Sequence, residues 1–373
     1  MSIRLGIIGA GSIGEVHAKA ALAAGQTVAG VADVNLEAAT RMVAMLEETP
    51  VTGSISGSSG GASGCRAYAS ATQLLADDSV DAVVVCVPNR WHCEIASEAM
   101  RAGKDVLLEK PMGLNAAECQ QAIEVAAQTE RVLQIGMVHR HTAVGQAAKD
   151  VVEAGDLGNI YHAKAHLYRR RGVPGLGGWF TTKQISGGGP LVDIGVHVLD
   201  LACWLMDFPH IQRVSGKVYS QFGKRMQDYV YESMWAGPPK LDGVCDVEDS
   251  AHALIYFAGG GSLDLQVSWA MNWPGDSSEE ENLLALFGDR GGMTFKLESD
   301  HLTVASERHG RNVDTRVMLP EIDPFVRQAT SFAACVKSRE MPLATGEQGR
   351  LVLSILDAIY QSSQADQDVV LDV

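Results

Sequence analysis

The chain has 373 residues, enough for two domains each with an apolar core. With 46% hydrophobic and 20% charged residues, its composition is that of a globular enzyme and excludes a disordered or fibrous chain. A formal net charge of −15 argues against binding nucleic acid, whose phosphates need a basic surface, and against docking on anionic lipid.

The first third alternates strand and helix patterns. Ile3 to Ile8 is a short apolar run, Ile13 to Ala24 is alanine-rich and helical, Thr27 to Ala32 reads as a strand and Leu36 to Glu47 as a helix. Pro50 to Gly64 (PVTGSISGSSGGASG) has too little apolar surface to order itself and reads as a mobile surface loop without a catalytic role. Ala82 to Val87 is a continuous, mostly β-branched run of the kind buried on both faces of a parallel sheet. Trp91 to Ala102 is helical, Asp105 to Leu108 extended, Ala116 to Glu130 helical and Val132 to Gly136 extended. This alternation predicts βαβ crossovers and a doubly wound α/β domain over residues 1–138.

From residue 139 the rhythm changes. A helix from Ala143 to Ala154 leads into a strand-like stretch, Ile160 to Arg170. Short strand patterns follow at Ser250 to Phe257, Gly261 to Trp269, Leu283 to Gly288, Met293 to Leu297 and Leu302 to Ala305, separated by turn residues. Helical patterns return at Pro324 to Val336 and Gln348 to Gln361. The expectation is a second, α+β domain over residues 139–373 with an antiparallel sheet.

Seven cysteines, at 65, 86, 93, 119, 203, 245 and 335, are odd in number and never form CxxC, so reduced thiols and no zinc site are expected. No basic segment followed by an apolar stretch and a cleavage site opens the chain, and no uncharged apolar run reaches the ~20 residues that span a bilayer. A cytoplasmic protein is the expectation.

Gly9-Ala10-Gly11-Ser12-Ile13-Gly14 is a GxGxxG turn between the first strand and the first helix. The glycines permit the tight turn, close backbone approach to a pyrophosphate and close helix packing, while Ser12 and Ile13 open a helix whose N-terminus favours anions. Asp33, about 20 residues on, stands where a carboxylate accepts hydrogen bonds from ribose hydroxyls and repels a 2′-phosphate, which predicts NAD over NADP. Capping of the next helix is the alternative for Asp33. Pro88, Asn89 and His92 lie past the carboxyl end of the buried run, where open α/β sheets bind ligands; Asn89 as a cap and His92 as a surface residue are the alternatives.

Glu109-Lys110-Pro111 follows directly on a predicted strand, where Lys110 is either placed for proton work or in a structural ion pair with Glu109. Gly187 to Asp200 (GGGPLVDIGVHVLD) opens a helix with three glycines and a proline. Asp193, His197 and Asp200 then share one helical face, and His197 can take a proton from an alcohol near neutral pH. A capping aspartate and a satisfied core histidine are the plain alternatives. His139, His141 and His166 raise the question of zinc, but the arginine between the first two and the lack of carboxylates argue against metal. Arg169 to Arg171 with Gly172 to Trp179 form a basic, glycine-rich segment, either a solvated loop or a lid with Trp179 stacked on a sugar ring.

Together the GxGxxG turn with Asp33, the Glu109-Lys110-Pro111 triplet, the GGGPLxDxGxHxxD helix and Asp246 to Ala251 (DVEDSA) resemble the Gfo/Idh/MocA oxidoreductases over essentially the whole chain. The resemblance implies a Rossmann domain and a second domain whose large open sheet often serves as an oligomer interface, hence a homo-oligomer, dimer or tetramer. It implies that Lys110, Asp193 and His197 form a catalytic trio: His197 as acid/base, Lys110 hydrogen-bonded to the reacting oxygen and Asp193 positioning the substrate. It places Glu109 and Lys110 beside the cofactor, and Arg140, Arg169 and Trp179 among substrate contacts. The expected activity is NAD-dependent oxidation of a secondary hydroxyl of a sugar, glycoside or inositol-like polyol. The family's cofactor-recycling glycosidases and non-catalytic NAD-binding regulators are the rivals.

Overall fold

The computed structural model describes residues 2–48, 62, 64–231, 234–274 and 282–371. Of the Gly/Ser-rich stretch, all but Ala62 and Gly64 lies outside the described residues. The chain divides into two compact units: Met1–Gly113 with Ala117–His141 and Asp323–Arg350, and Leu114–Ala116 with Thr142–Ile322 and Leu351–Val373.

Among the described residues the first unit holds six strands: β1 (Arg4–Ile8), β2 (Thr27–Ala32), β3 (Arg66–Tyr68), β4 (Ala82–Val85), β5 (Asp105–Leu108) and β6 (Leu133–Ile135). They pair in parallel in the order β3-β2-β1-β4-β5-β6. This is the Rossmann arrangement, and its strand order reverses between β1 and β4, where ligands of such sheets bind. Every residue of β4 and β5 is buried, as parallel strands covered by helices on both faces must be.

The segment Asp323–Arg350 returns to this unit, a feature that a single boundary at residue 138 lacks. Its helix Pro324–Ser338 is capped by Asp323, whose Oδ1 accepts from the N–H of Phe325 and Val326. Phe332, fully buried, and Val336 join the core formed by β1, β2 and the helix Ser12–Ala23. Gln26 Nε2 donates to the Ala329 carbonyl at 2.6 Å, a contact spanning 303 positions.

Among the described residues the second unit is built on nine strands: β7 (Ile160–Tyr168), β8 (Ile211–Tyr219), β9 (Ser250–Phe257), β10 (Ser262–Ser268), β11 (Asn282–Gly288), β12 (Gly291–Phe295), β13 (His301–Arg308), β14 (Arg311–Met318) and β15 (Val369–Val370). Their order is β14-β13-β12-β11-β7-β10-β9-β8-β15. Every neighbouring pair is antiparallel except β7 with β10. Burial alternates along β9 and β10, so Ala251, Ala253, Ile255, Leu263, Leu265 and Val267 face the core. The helix Val196–Leu205 packs on β7 from that side. β8 and β14 carry too weak an apolar alternation to stand out in the sequence; β14 is an edge strand exposed or half-exposed throughout. The stretch Lys183–Leu205 is apolar enough to pass for a membrane span, yet 94% of an 18-residue window within it is buried in the protein.

Phe332→Ala tests whether the returning helix is structural to the first unit. Its fully buried ring predicts a loss of about 3–5 kcal/mol, read from urea unfolding of the full chain.

Candidate functional site

In the first unit the glycine turn is held by backbone contacts. Gly9 has φ +106° and donates to the Ala32 carbonyl at 2.8 Å. A Cβ there would overlap the Cys86 carbonyl, and one at Gly14 would overlap the Gly9 carbonyl. At Gly11, by contrast, a Cβ would meet nothing within 4 Å, and no side chain caps the helix Ser12–Ala23 that starts there. The turn thus leaves open space in front of uncapped helix N–H groups, the feature an anionic pyrophosphate requires. These residues fit a dinucleotide.

Asp33 stands immediately after β2. Its Oδ2 accepts from the Ala10 N–H at 2.8 Å and its Oδ1 from the Asn35 N–H at 2.7 Å. Asn35, not Asp33, caps the next helix, accepting from Glu37 and Ala38. The capping alternative for Asp33 is thereby removed: its carboxylate is tied to the glycine turn.

Past β4, the buried Asn89 opens a single turn and His92 starts the helix His92–Arg101. His92 is 1% exposed, which excludes a surface residue. Its Nδ1 lies 2.6 Å from the Pro111 carbonyl and its Nε2 2.7 Å from the Val87 carbonyl, so the ring braces Pro88 and Asn89 against the Glu109-Lys110-Pro111 triplet. Carbonyls only accept and so favour protonated ring nitrogens, but burial outweighs them and pulls the His92 pKa down.

Glu109 is buried, and its nearest partner is a residue that sequence reading missed: His17, whose Nε2 lies 2.7 Å from Oε1. Oε2 accepts from the Lys110 backbone N–H at 3.1 Å. Burial would raise the Glu109 carboxyl, but the His17 hydrogen bond and the nearby Lys110 and His92 hold it below the usual range. His17 is fixed in turn by the edge of Phe325, with ring centroids 5.4 Å apart. A buried histidine on an alanine-rich helix was the available signal.

His139, Arg140 and His141 form a tight single turn. Backbone bonds from Val138 to Gly136 and from Arg140 to Met137 curl the chain as soon as β6 ends. Arg140 is 0% exposed and donates to the Leu343 carbonyl and Gln348 Oε1, both at 2.6 Å. It is a buried tie to the returning segment and presents no surface to a ligand. His166 lies in β7 beside Asp264, and no group of three metal-ligating side chains occurs among the described residues.

In the second unit the glycine-rich run becomes a helix entry. Pro190 leads into a wide π turn, Leu191–Gly195, continued by the helix Val196–Leu205. Such π turns recur at functional sites. Asp193 lies within it, 9% exposed, and its Oδ2 accepts from Trp269 Nε1 at 3.0 Å. His197, half-buried, follows on the next turn, and Asp200 is buried on the same helix. Ahead of them Glu248 Oε1 accepts from Gly189 N–H, Leu191 N–H and the Tyr360 hydroxyl. Glu248, Tyr360 and Trp269 were not singled out as functional in the sequence, although Glu248 lies within the DVEDSA segment noted there.

The stretch after β7 is neither a solvated loop nor a free lid: Gly172 to Gly177 are buried. Gly172 N–H donates to the Trp269 carbonyl, and the Pro174 and Leu176 carbonyls accept from Ala236 and Lys240. The Arg169 side chain folds over Gly172. Trp179 stacks on Phe180 at 3.7 Å between centroids, and Phe180 meets Trp235 edge-on at 5.1 Å.

The match to known proteins is extensive. Residues 3–137 match the model of an oxidoreductase family with an NAD-binding Rossmann fold, and residues 146–294 that of a GFO/IDH/MocA C-terminal domain. D-glucoside 3-dehydrogenase of Escherichia coli (strain K12) is 31% identical over 293 residues, 78% of this chain and 79% of that protein. Inositol 2-dehydrogenase of Pseudomonas savastanoi pv. phaseolicola is 29% identical over 233 residues, 61% of this chain and 62% of that protein. Among solved structures, levoglucosan dehydrogenase in complex with NADH and levoglucosan superposes over 100% of both chains with a TM-score of 0.82. At 21% identity that likeness is one of fold.

Two outcomes follow from this geometry. Gly189→Ala places a Cβ against the Glu248 carbonyl and is expected to cost about 1–3 kcal/mol in urea unfolding. Burial, with Lys110 near His139 and with Arg327 and Arg140 near His141, lowers both histidines to about 4, whereas unfolded histidine titrates near 6.5. The unfolded chain therefore binds more protons within that window. Stability should fall as pH drops from about 6.5 toward 4, and H139Q/H141Q should flatten the slope in pH-dependent urea midpoints.

Proposed function

We propose that this chain, which belongs to the GFO/IDH/MocA family of NAD-dependent oxidoreductases, oxidises a secondary hydroxyl of a sugar, glycoside or cyclic polyol. The observation that carries the reading is the helix of the second unit, where a carboxylate pinned by Trp269 precedes a half-buried histidine by one turn. A pinned acceptor beside an acid/base is what selection and deprotonation of one hydroxyl among several require. The relatives named D-glucoside 3-dehydrogenase and inositol 2-dehydrogenase support the substrate class.

When bound, NAD supplies the acceptor for the hydrogen leaving carbon. The turn Gly9 to Gly14 provides the space and helix N–H groups for its pyrophosphate, and Asp33 accepts from its ribose hydroxyls. The Asp33 carboxylate disfavours a 2′-phosphate, and neighbouring Val34 and Asn35 offer no cation to offset it. Lys110 donates a hydrogen bond to the reacting oxygen. His197 takes the hydroxyl proton as the carbon–hydrogen bond breaks, and Asp193 accepts from a hydroxyl of the substrate to hold it in register. Trp179, stacked on Phe180, offers its other face to the apolar side of a sugar ring.

The test is net reduction of NAD, with NADP in parallel, against inositols, monosaccharides, anhydrosugars and glycosides. Accumulation of reduced NAD on one of these classes is the expected result, and His197→Ala should lower kcat by about 10²–10⁴-fold while leaving NAD affinity unchanged. Tight NAD binding without net reduction on any of them would refute the dehydrogenase and favour a cofactor-recycling glycosidase or a regulator.

A further inference from the structure

Three donors from two separate stretches of chain converge on one buried oxygen. Glu248 is 5% exposed, and its Oε1 accepts from Gly189 N–H at 2.9 Å, Leu191 N–H at 3.2 Å and the Tyr360 hydroxyl at 2.9 Å. The arrangement accounts for two glycines of the run: a Cβ at Gly188 would overlap the Tyr360 hydroxyl, and one at Gly189 the Glu248 carbonyl. Burial and the neighbouring carboxylate push the Tyr360 phenol well above its usual range, so it stays protonated and donates.

The same residue continues the contact through its carbonyl. The Gly189 carbonyl accepts from Val192 N–H at 3.1 Å and from Asp193 N–H at 3.0 Å. Asp193 is thus fixed at its backbone through Gly189 and at its carboxylate by Trp269, and His197 lies one turn further along the same helix. A carboxylate at the start of a helix also satisfies first-turn N–H groups and complements the dipole.

We propose that Glu248, aligned by Tyr360, is a positioning residue that sets the placement of Asp193 and His197 through the backbone of Gly189. It touches no substrate in this scheme, and the proposal rests on the roles given to Asp193 and His197 above. What it adds is a dependence of the reaction on a side chain 59 positions from Gly189 and on a tyrosine 112 positions beyond Glu248.

The experiment compares E248A, E248Q and Y360F in the full chain by steady-state kinetics, NADH affinity and amide hydrogen exchange of peptides covering residues 187–197. E248A should lower kcat/KM about 10²-fold, mainly through kcat, and speed local exchange about tenfold, with NADH affinity unchanged. E248Q keeps an acceptor at Oε1 and should recover at least a third of the wild-type kcat/KM and the local protection. Y360F should lose about threefold, and E248A/Y360F should lose no more than E248A alone, because the two side chains act as one unit.

Wild-type kcat/KM in Y360F and E248A, or E248Q as impaired as E248A, would overturn the proposal. So would a fall in NADH affinity that matches the fall in kcat, since that marks general damage. Should E248A fail to fold, Y360F and E248Q still decide the question. His197→Ala run alongside separates the two readings. Turnover that survives H197A but not E248A refutes the role of His197; turnover lost in H197A and kept in E248A refutes positioning. The exchange readout stands without any substrate.

Discussion

Close approach of the backbone to itself, closer than a Cβ permits, is the constraint on which both halves of this molecule depend. In the first unit the Gly9 carbonyl occupies the place of a Gly14 side chain, and the Cys86 carbonyl that of a Gly9 side chain. The helix Ser12–Ala23 therefore begins hard against the sheet with its N–H groups uncovered. In the second unit the same economy at Gly188 and Gly189 admits the Tyr360 hydroxyl and the Glu248 backbone to the entrance of the helix bearing Asp193. A methyl group at Gly9, Gly14 or Gly189 would press on backbone and move an element, whereas at Gly188 it would displace the Tyr360 side chain.

Around these approaches the protein places buried carboxylates, each held by donors on at least one oxygen. Glu109 takes His17 and the Lys110 N–H; Glu248 takes two N–H groups and a phenol; Asp193 takes an indole. Asp249 accepts from the backbone of Gln221, Phe222 and Gly223. A buried carboxylate without such partners costs several kcal/mol, so each of these groups holds its surroundings to one geometry. That rigidity suits residues that must meet a hydroxyl within a few tenths of an ångström.

Their effects on protonation differ with the balance of burial and donors. Glu109, beside two histidines and a lysine, is held below the usual carboxylate range. Glu248, where burial outweighs three donors, is pushed above it. The charge in the first unit is therefore the more robust to acid, while the hydrogen bonds around Glu248 matter more for their direction than for the charge they meet.

Local signals made much of this legible in the sequence. The GxGxxG turn, the buried run of β4, Asp33 at the end of β2 and the Asp193–His197 spacing are patterns within a few residues to about twenty, set by helix and strand periods and by what glycine allows. Pairings across long stretches of chain were not legible: His17 with Glu109 over 92 positions, Glu248 with Gly189 over 59, β7 beside β10 in parallel, and the helix Pro324–Ser338 packed into the first unit. Arg140 shows the limit well: the resemblance places it among substrate contacts, whereas its guanidinium lies buried on Leu343 and Gln348. The sequence by itself determined the elements, the class of fold and the residue types available for chemistry, because these follow from short-range sterics and periodicity. Only the tertiary structure decided which donors each buried carboxylate meets, because that choice is made by packing between segments that carry no local mark of one another.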